Sequence, residues 1–221
     1  MEDNIIKKQI EAYQSNFLSN QDNQMGTYQT EITQNIRFEH LIKNIYLDND
    51  KIHDVGCGTC DLHHFLNKKK IKHEYIGTEI VPEMIEYARS KYPKIKIHNR
   101  DLLKIKNEEI FDYSLLSGTF NIPGKIDVKK WEDFCCRIIE KMFATSKKGI
   151  VFNFITSYTT FKDPQLFYFD PALVFKFCVE NLSRFVHLSH SSPLYEYTIT
   201  VFKKDYVKSK NTSKPLNKYF K

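Results

Sequence analysis

Apolar residues recur at helical spacing in two stretches before any strand-like run begins. Ile5, Ile6, Ile10, Tyr13, Phe17 and Leu18 form one stripe over Asn4 to Ser19. Ile32, Ile36, Leu41, Ile42 and Ile45 form a second over Glu31 to Leu47. The polar segment between them, Asn20 to Thr30, reads as a loop. From residue 51 the pattern changes to short apolar runs separated by amphipathic segments. It predicts strands near 51–55, 74–79, 94–98, 111–116 and 149–155, and helices near 61–70, 82–91, 128–145 and 171–181. Asp170-Pro171 marks a clean helix start, an N-cap acid before a proline in the first turn. Such alternation implies a parallel sheet with helices on both faces. The last two strand-like runs, Arg184 to Leu188 and Tyr195 to Phe202, have no helix between them. They must pair antiparallel, because a parallel pair needs a long crossover. The reading is an α/β fold with seven strands, mostly parallel, ending in an antiparallel hairpin and preceded by a helical cap.

Size and composition narrow this picture. At 221 residues the chain fits a single domain with a sizeable core. We expect that domain over 1–205, with the cap at 1–47 and the core at 48–205. A basic tail, 206–221, follows; from Lys208 onward it is polar, lysine-rich and expected to be loosely ordered. No internal repeat is visible. Hydrophobic residues make up 41% and charged residues 27%, an ordinary soluble balance. No apolar run is long enough to span a membrane, and the first residues lack the basic and apolar regions of a secretory signal. A cytoplasmic location is therefore expected.

The net charge of +6 is largely local. Lys68, Lys69, Lys70 and Lys72 cluster at a helix end, where cations suit the dipole. Lys208, Lys210, Lys214, Lys218 and Lys221 cluster in the tail. These read as a solvated face and a loose tail rather than a nucleic-acid track.

The chemistry concentrates at Lys51 to Cys60. A strand-like run ends at Asp54-Val55, and Gly56 and Gly58 follow one position apart before a helix begins at Asp61. Glycines let the chain turn sharply and let a ligand approach the backbone. The helix N-terminus offers free N–H groups beside it. This is the pattern of a nucleotide-cofactor loop. Glu79 ends the second strand-like run, 21 positions after Gly58, near the spacing at which an acid reaches a ribose. Asp101 follows the third run, where an adenine amino group can be received. Asp61 stands where the dinucleotide pattern has its third glycine. A short turn without a pyrophosphate site fits a mononucleoside cofactor better than NAD.

The spacing of Cys57 and Cys60 raises redox or metal chemistry. A structural zinc site needs a second ligand pair, and no second C-x-x-C exists. We expect two small residues filling a tight turn and no metal.

Taken together, Asp54-Val55-Gly56-Cys57-Gly58, Tyr75-Ile76-Gly77-Thr78-Glu79, Pro82 to Arg89 and Arg100-Asp101-Leu102 resemble successive motifs of the class I S-adenosylmethionine (SAM)-dependent methyltransferases. The resemblance spans roughly residues 30 to 204 and implies the Rossmann-like seven-stranded sheet of that family. It implies SAM as cofactor, with Asp54 and the Gly56, Cys57, Gly58 backbone facing the methionine moiety. By the same resemblance Glu79 binds the ribose, and Asp101 with Leu102 flanks the adenine. Ile80 and Ser117, following strands two and four, complete the cofactor set. The Gln34-x-x-Arg37-Phe38 pattern makes Arg37 a candidate for the cofactor carboxylate, a packing arginine being the other reading. The third glycine common in the family is Cys60 here.

The acceptor is less legible. Ligands bind beyond the carboxyl ends of parallel strands. After the fourth strand, Leu116 to Asn121 lacks the Asn/Asp-Pro-Pro-Tyr motif of many amino-group methyltransferases, and Phe120 and Asn121 become pocket candidates. After the fifth, the segment Thr156 to Asp170 carries Tyr158, Phe161, Phe167, Tyr168 and Phe169. These either wall a substrate pocket, which brings in Tyr158 and Tyr168, or cover the sheet edge. His190, in the final turn, is a candidate general base or an exposed turn histidine, and Tyr195 just after it is a further pocket candidate. The expected function is methyl transfer from SAM to a small-molecule oxygen or nitrogen nucleophile. A sugar or surface-polysaccharide precursor is suggested by the resemblance alone. The alternatives are an RNA or protein methyltransferase, or a SAM-binding regulatory protein without catalysis.

Overall fold

The computed structural model describes residues 2–19, 30–105 and 109–220. The expected loop at Asn20 to Thr30 lies outside them, except for Thr30. Thr30 caps the second helix reciprocally: its hydroxyl accepts from Thr33 N and its own N–H donates to the Thr33 hydroxyl, both at 3.2 Å.

Two helices come first, α1 (Glu2–Ser19) and α2 (Glu31–Ile42). The core then runs β1 (Asp50–Val55), α3 (Asp61–Lys68), β2 (His73–Glu79), α4 (Pro82–Lys91), β3 (Lys96–Asn99) and β4 (Phe111–Leu116). It continues with α5 (Val128–Ala144), β5 (Ser146–Thr156), β6 (Tyr168–Phe169), α6 (Pro171–Asn181), β7 (Val186–Ser189) and β8 (Glu196–Phe202). The expected α2 extends to Leu47. The helix instead ends at Ile42, where the chain turns through an Ile45 N to Ile42 O bond and still sets Ile45 and Leu47 against the core.

The sheet order is β3-β2-β1-β4-β5-β8-β7. The strands are parallel from β3 to β5, and β8 pairs antiparallel with both β5 and β7. This is the expected mostly parallel sheet with a terminal antiparallel hairpin. One strand was not foreseen. Tyr168–Phe169 pairs parallel with Ile155–Thr156 of β5, adding an eighth strand from within the aromatic segment.

The strand alternation sorts the core onto two faces. Ile150, Phe152 and Phe154 point with Tyr197 and Ile199 toward Trp131 and Ile139 of α5 and Val174 of α6. Val151 points the other way, with Ile52 and Leu115, toward Phe38 and Leu41 of α2 and Leu62 and Phe65 of α3. Asn153 and Glu196 belong to this second face, where a polar path runs among apolar neighbours.

The tail departs from expectation. Instead of a loose segment it forms α7 (Lys204–Lys210) and a 3₁₀ helix, Lys214–Phe220. Aromatic contacts hold it. Tyr206 lies against Tyr113 and Phe202, Phe220 stacks on Phe185 at 5.7 Å, and Arg184 donates to the Tyr219 carbonyl. Lysine counting concealed these anchors. Among the described residues no helix is long and apolar enough to cross a membrane.

Candidate active site

The parallel strands β1 to β5 end on one edge of the sheet, and a cavity opens there. β1 delivers Asp54 and Val55 to its floor. The chain then turns at Gly56 and Gly58, whose φ values of +67° and +51° favour glycine. A Cβ at Gly56 would come within 2.3 Å of the Thr119 hydroxyl, which itself bonds the Val55 carbonyl at 3.2 Å. The glycine turn and the loop after β4 are thus packed backbone to side chain. Cys60, at the family's third-glycine position, keeps a positive φ of +63°. Its neighbour Cys57 fits because Gly77 has no Cβ; one there would lie 2.6 Å from the sulfur. Both cysteines are free and buried, and the bond to Cys60, followed by burial, holds the Cys57 thiol well above its ordinary range.

Glu79 closes this turn. Its Oε1 accepts from Ile80 N at 2.6 Å and Val81 N at 3.0 Å, and its Oε2 accepts from Gly58 N at 2.8 Å. A carboxylate has about four acceptor sites, so one remains on Oε2. Glu79 therefore keeps one acceptor position for a ligand, on Oε2. The residue is first a brace for the loop. Burial raises its pKa, and the three amides pull it back.

Asp101 begins the 3₁₀ turn Leu102–Lys104 by accepting Leu103 N at 3.0 Å through Oδ1. Its Oδ2 is buried without a partner among the described residues. Arg37, on α2, is buried and clamped by Glu196: Nε lies 2.8 Å from Oε2, and Nη2 contacts Oε1. Asn153 donates to Glu196 Oε2 at 2.8 Å and accepts from Gly118 N at 2.8 Å. Arg37 is thus a packing arginine as well as a wall of the cavity, and among the described residues its Nη1 has no hydrogen-bond partner.

The cavity brings together all the expected cofactor residues: Arg37, Asp54, Gly56, Cys57, Gly58, Glu79, Ile80, Asp101, Leu102 and Ser117 all line it. Phe120 lines it too. Asn121 is buried behind this wall, its carbonyl accepting from Phe167 N at 2.8 Å. Tyr158, Tyr168, Tyr195 and His190 are not part of the lining. Tyr168 instead holds the aromatic loop, its hydroxyl accepting from Asp163 N at 2.8 Å. Phe167 and Phe169 sink into the core. His190 is exposed, 6.2 Å from the rings of Tyr158 and Tyr197, so the structure does not bring it to the cavity.

Other lining residues went unforeseen. Gln9 and Tyr13 of α1 cover the cavity and bond the main chain after β4. Gln9 donates to the Ile122 carbonyl at 2.7 Å, and the Tyr13 hydroxyl lies 2.9 Å from the Thr119 carbonyl. The available signal was a polar residue, Gln9, placed four positions from both Ile5 and Tyr13 on the apolar stripe. Trp131, Phe134 and Ile138 of α5 add an apolar wall.

A sheet of this order with a glycine turn at the end of β1, braced by an acid at the end of β2, defines a nucleotide-cofactor enzyme of the methyltransferase kind. A family model described as a methyltransferase domain matches residues 52–141. A protein of Mycobacterium tuberculosis, strain H37Rv, named as a methyltransferase, is 33% identical over 161 residues, covering 71% of this chain and 95% of that protein. The fold is similar to magnesium protoporphyrin IX methyltransferase from Synechocystis PCC 6803 with bound SAM, with TM-score 0.61 at 12% identity, over 89% of this chain and 97% of that one. A TehB-like SAM-dependent methyltransferase from Corynebacterium glutamicum gives TM-score 0.55 at 18% identity, over 88% and 97%. The chain belongs to the class I SAM-dependent methyltransferases, and SAM is its cofactor.

Proposed function

We propose that the enzyme methylates a small molecule at an oxygen or nitrogen nucleophile, and that it works in the cytoplasm. One observation carries the acceptor class: the charge of the cavity wall. Asp54, Asp61, Glu79 and Asp101 line it against the cations Arg37 and Arg100, and Arg37 is already paired with Glu196. A polyanion such as RNA is poorly matched to such a wall, since its binding rests on neutralised phosphates. The basic residues lie elsewhere. Lys68 and Lys69 pair with Glu31 and Glu39, and the tail helix α7 packs near Tyr113 and Lys148. Coverage by α1 and α2 also suits a compact acceptor. A sugar precursor remains the candidate that the family resemblance suggests.

The residues present suit the cofactor. Bare backbone at Gly56 and Gly58 leaves room beside the methionine end, and Arg37 Nη1 is a donor for its carboxylate. The remaining site on Glu79 Oε2 suits a ribose hydroxyl. The orphaned Asp101 Oδ2 suits the adenine amino group, whose ring would lie against Leu102. When bound, the cofactor supplies an already activated methyl group. The protein's task is then alignment and water exclusion, and holding reactants in line is worth roughly 7–11 kcal/mol. Phe120, Trp131 and Phe134 exclude water from the cavity, while Tyr13 and Asn153 fix the loop after β4 beside it.

The test is to supply methyl-labelled SAM to cell extract fractionated into low-molecular-weight filtrate, RNA and protein. Label is expected in the filtrate. Enzyme-dependent label in RNA or protein instead would overturn the acceptor assignment.

A further inference from the structure

We propose that Asp54 is a specificity determinant of the site, favouring the positively charged sulfonium cofactor over its neutral thioether product, S-adenosylhomocysteine, and gaining a proton when product replaces cofactor. The proposal rests on the placement of the methionine end beside Asp54 given above.

Asp54 is only 3% exposed yet lines the cavity. Its Oδ2 accepts the Tyr75 hydroxyl at 2.6 Å. Its Oδ1 makes no hydrogen bond to the described residues. A buried carboxylate in that position is costly unless a cation or donor meets it. Among the described residues no such cation meets it. From β2 it meets Tyr75 and Glu79, and from α3 it meets Asp61, itself held by Lys91 and Thr59. The turn adds the thiol of Cys57, and the phenol of Tyr13 lines the same cavity. The cation on α2, Arg37, is engaged by Glu196, and Arg100, next to Asp101 in the chain, is not among the charges that act on Asp54. Asp54 therefore faces acids, a thiol and a phenol.

Burial pushes its pKa up to about 7; the Tyr75 hydroxyl opposes this, while Glu79 and Asp61 add to it. A ligand cation beside Oδ1 favours the ionised form and lowers that pKa. Binding of the cofactor then releases a proton, and its affinity rises as pH climbs through 7. The product carries the same ammonium and carboxylate but no sulfonium charge. Comparing the two ligands cancels every contact they share and isolates the sulfonium.

Calorimetric titration of the full chain with SAM and with S-adenosylhomocysteine, in buffers of different ionisation enthalpy, measures this directly. At pH 7 about half a proton is expected to leave per SAM bound, and clearly fewer per product. Between pH 6 and 8, SAM affinity is expected to rise up to about tenfold, and product affinity less than about threefold. Asp54→Asn, which keeps the shape, is expected to flatten the SAM profile and to shift the affinity ratio toward product. Equal proton release by the two ligands overturns the proposal while leaving the cofactor site in place, as does an unchanged ratio in Asp54→Asn. Failure of both ligands to bind overturns the site assignment itself. Where the variant does not fold, the two wild-type titrations decide alone.

Discussion

The donor end of the site and its outer rim are built on opposite principles. At the donor end, strand termini and a glycine turn place main-chain atoms, and backbone amides fix Glu79, Asp101 and Asn153. Glu79 bonds the amides of Gly58, Ile80 and Val81, and Asn153 bonds that of Gly118. At the rim, Tyr158 and Phe161 are 64% and 65% exposed on the loop after β5. Tyr195 meets them from the final hairpin through a Thr160 hydroxyl contact and the Phe161 ring. On the function proposed above, backbone selects the cofactor and loop side chains are left to meet the acceptor.

The sharpest break of this contrast is at Arg37. Arg37→Ala strands Glu196 as a buried, unpaired charge and is expected to cost about 3–5 kcal/mol in denaturant unfolding. Tyr195→Ala, at the rim, is expected to stay within about 0.5 kcal/mol. Replacing Arg37 and Glu196 together by methionine should recover much of the stability while leaving carboxylate recognition lost. A single Arg37→Ala as stable as wild type would mean that the ion pair does not hold the cap to the sheet.

Glu79→Ala comes next. Removing the acceptor of three amides is expected to lower both stability and cofactor affinity, each bond to the charged group counting about 1.5–3 kcal/mol at most. Thermal melting with and without S-adenosylhomocysteine separates the two effects. Loss of affinity with an unchanged melting temperature would show that the brace matters little.

Gly56→Ala places a Cβ at positive φ and against Thr119. The backbone strain alone is roughly 1–2 kcal/mol, and cofactor affinity should fall with it. The companion Gly56→Ala, Thr119→Ala keeps the strain but removes the hydroxyl and methyl that crowd the turn, and should regain part of the affinity. The smallest effect is expected from His190→Ala and Tyr158→Ala. Both should leave cofactor affinity within about twofold, any change being confined to acceptor turnover. A large loss of cofactor affinity in either would place the rim inside the donor site.

The same contrast explains what was legible in the chain. The glycine turn, Glu79 and Asp101 follow from spacing, because a backbone that must turn and bond a ligand admits few residue types. The mostly parallel sheet and its antiparallel end followed from alternation and from the missing helix before β8. Gln9 and Tyr13 were not legible as site residues, because a helical stripe shows which face is buried but not what it is buried against. Glu196 was hidden for a different reason. Its role depends on Arg37, some 159 positions away in sequence, meeting it across the sheet face. The tail was misread because lysine content outweighed Tyr206, Tyr219 and Phe220, which anchor it.

A crystal structure of the chain with S-adenosylhomocysteine tests the central claim most directly. The expected result is a ribose hydroxyl on Glu79 Oε2, the adenine amino group on Asp101 Oδ2 and the carboxylate on Arg37 Nη1, with Glu196 still holding Arg37. A nucleoside seated away from Glu79 and Asp101, or a carboxylate that does not reach Arg37, would contradict it.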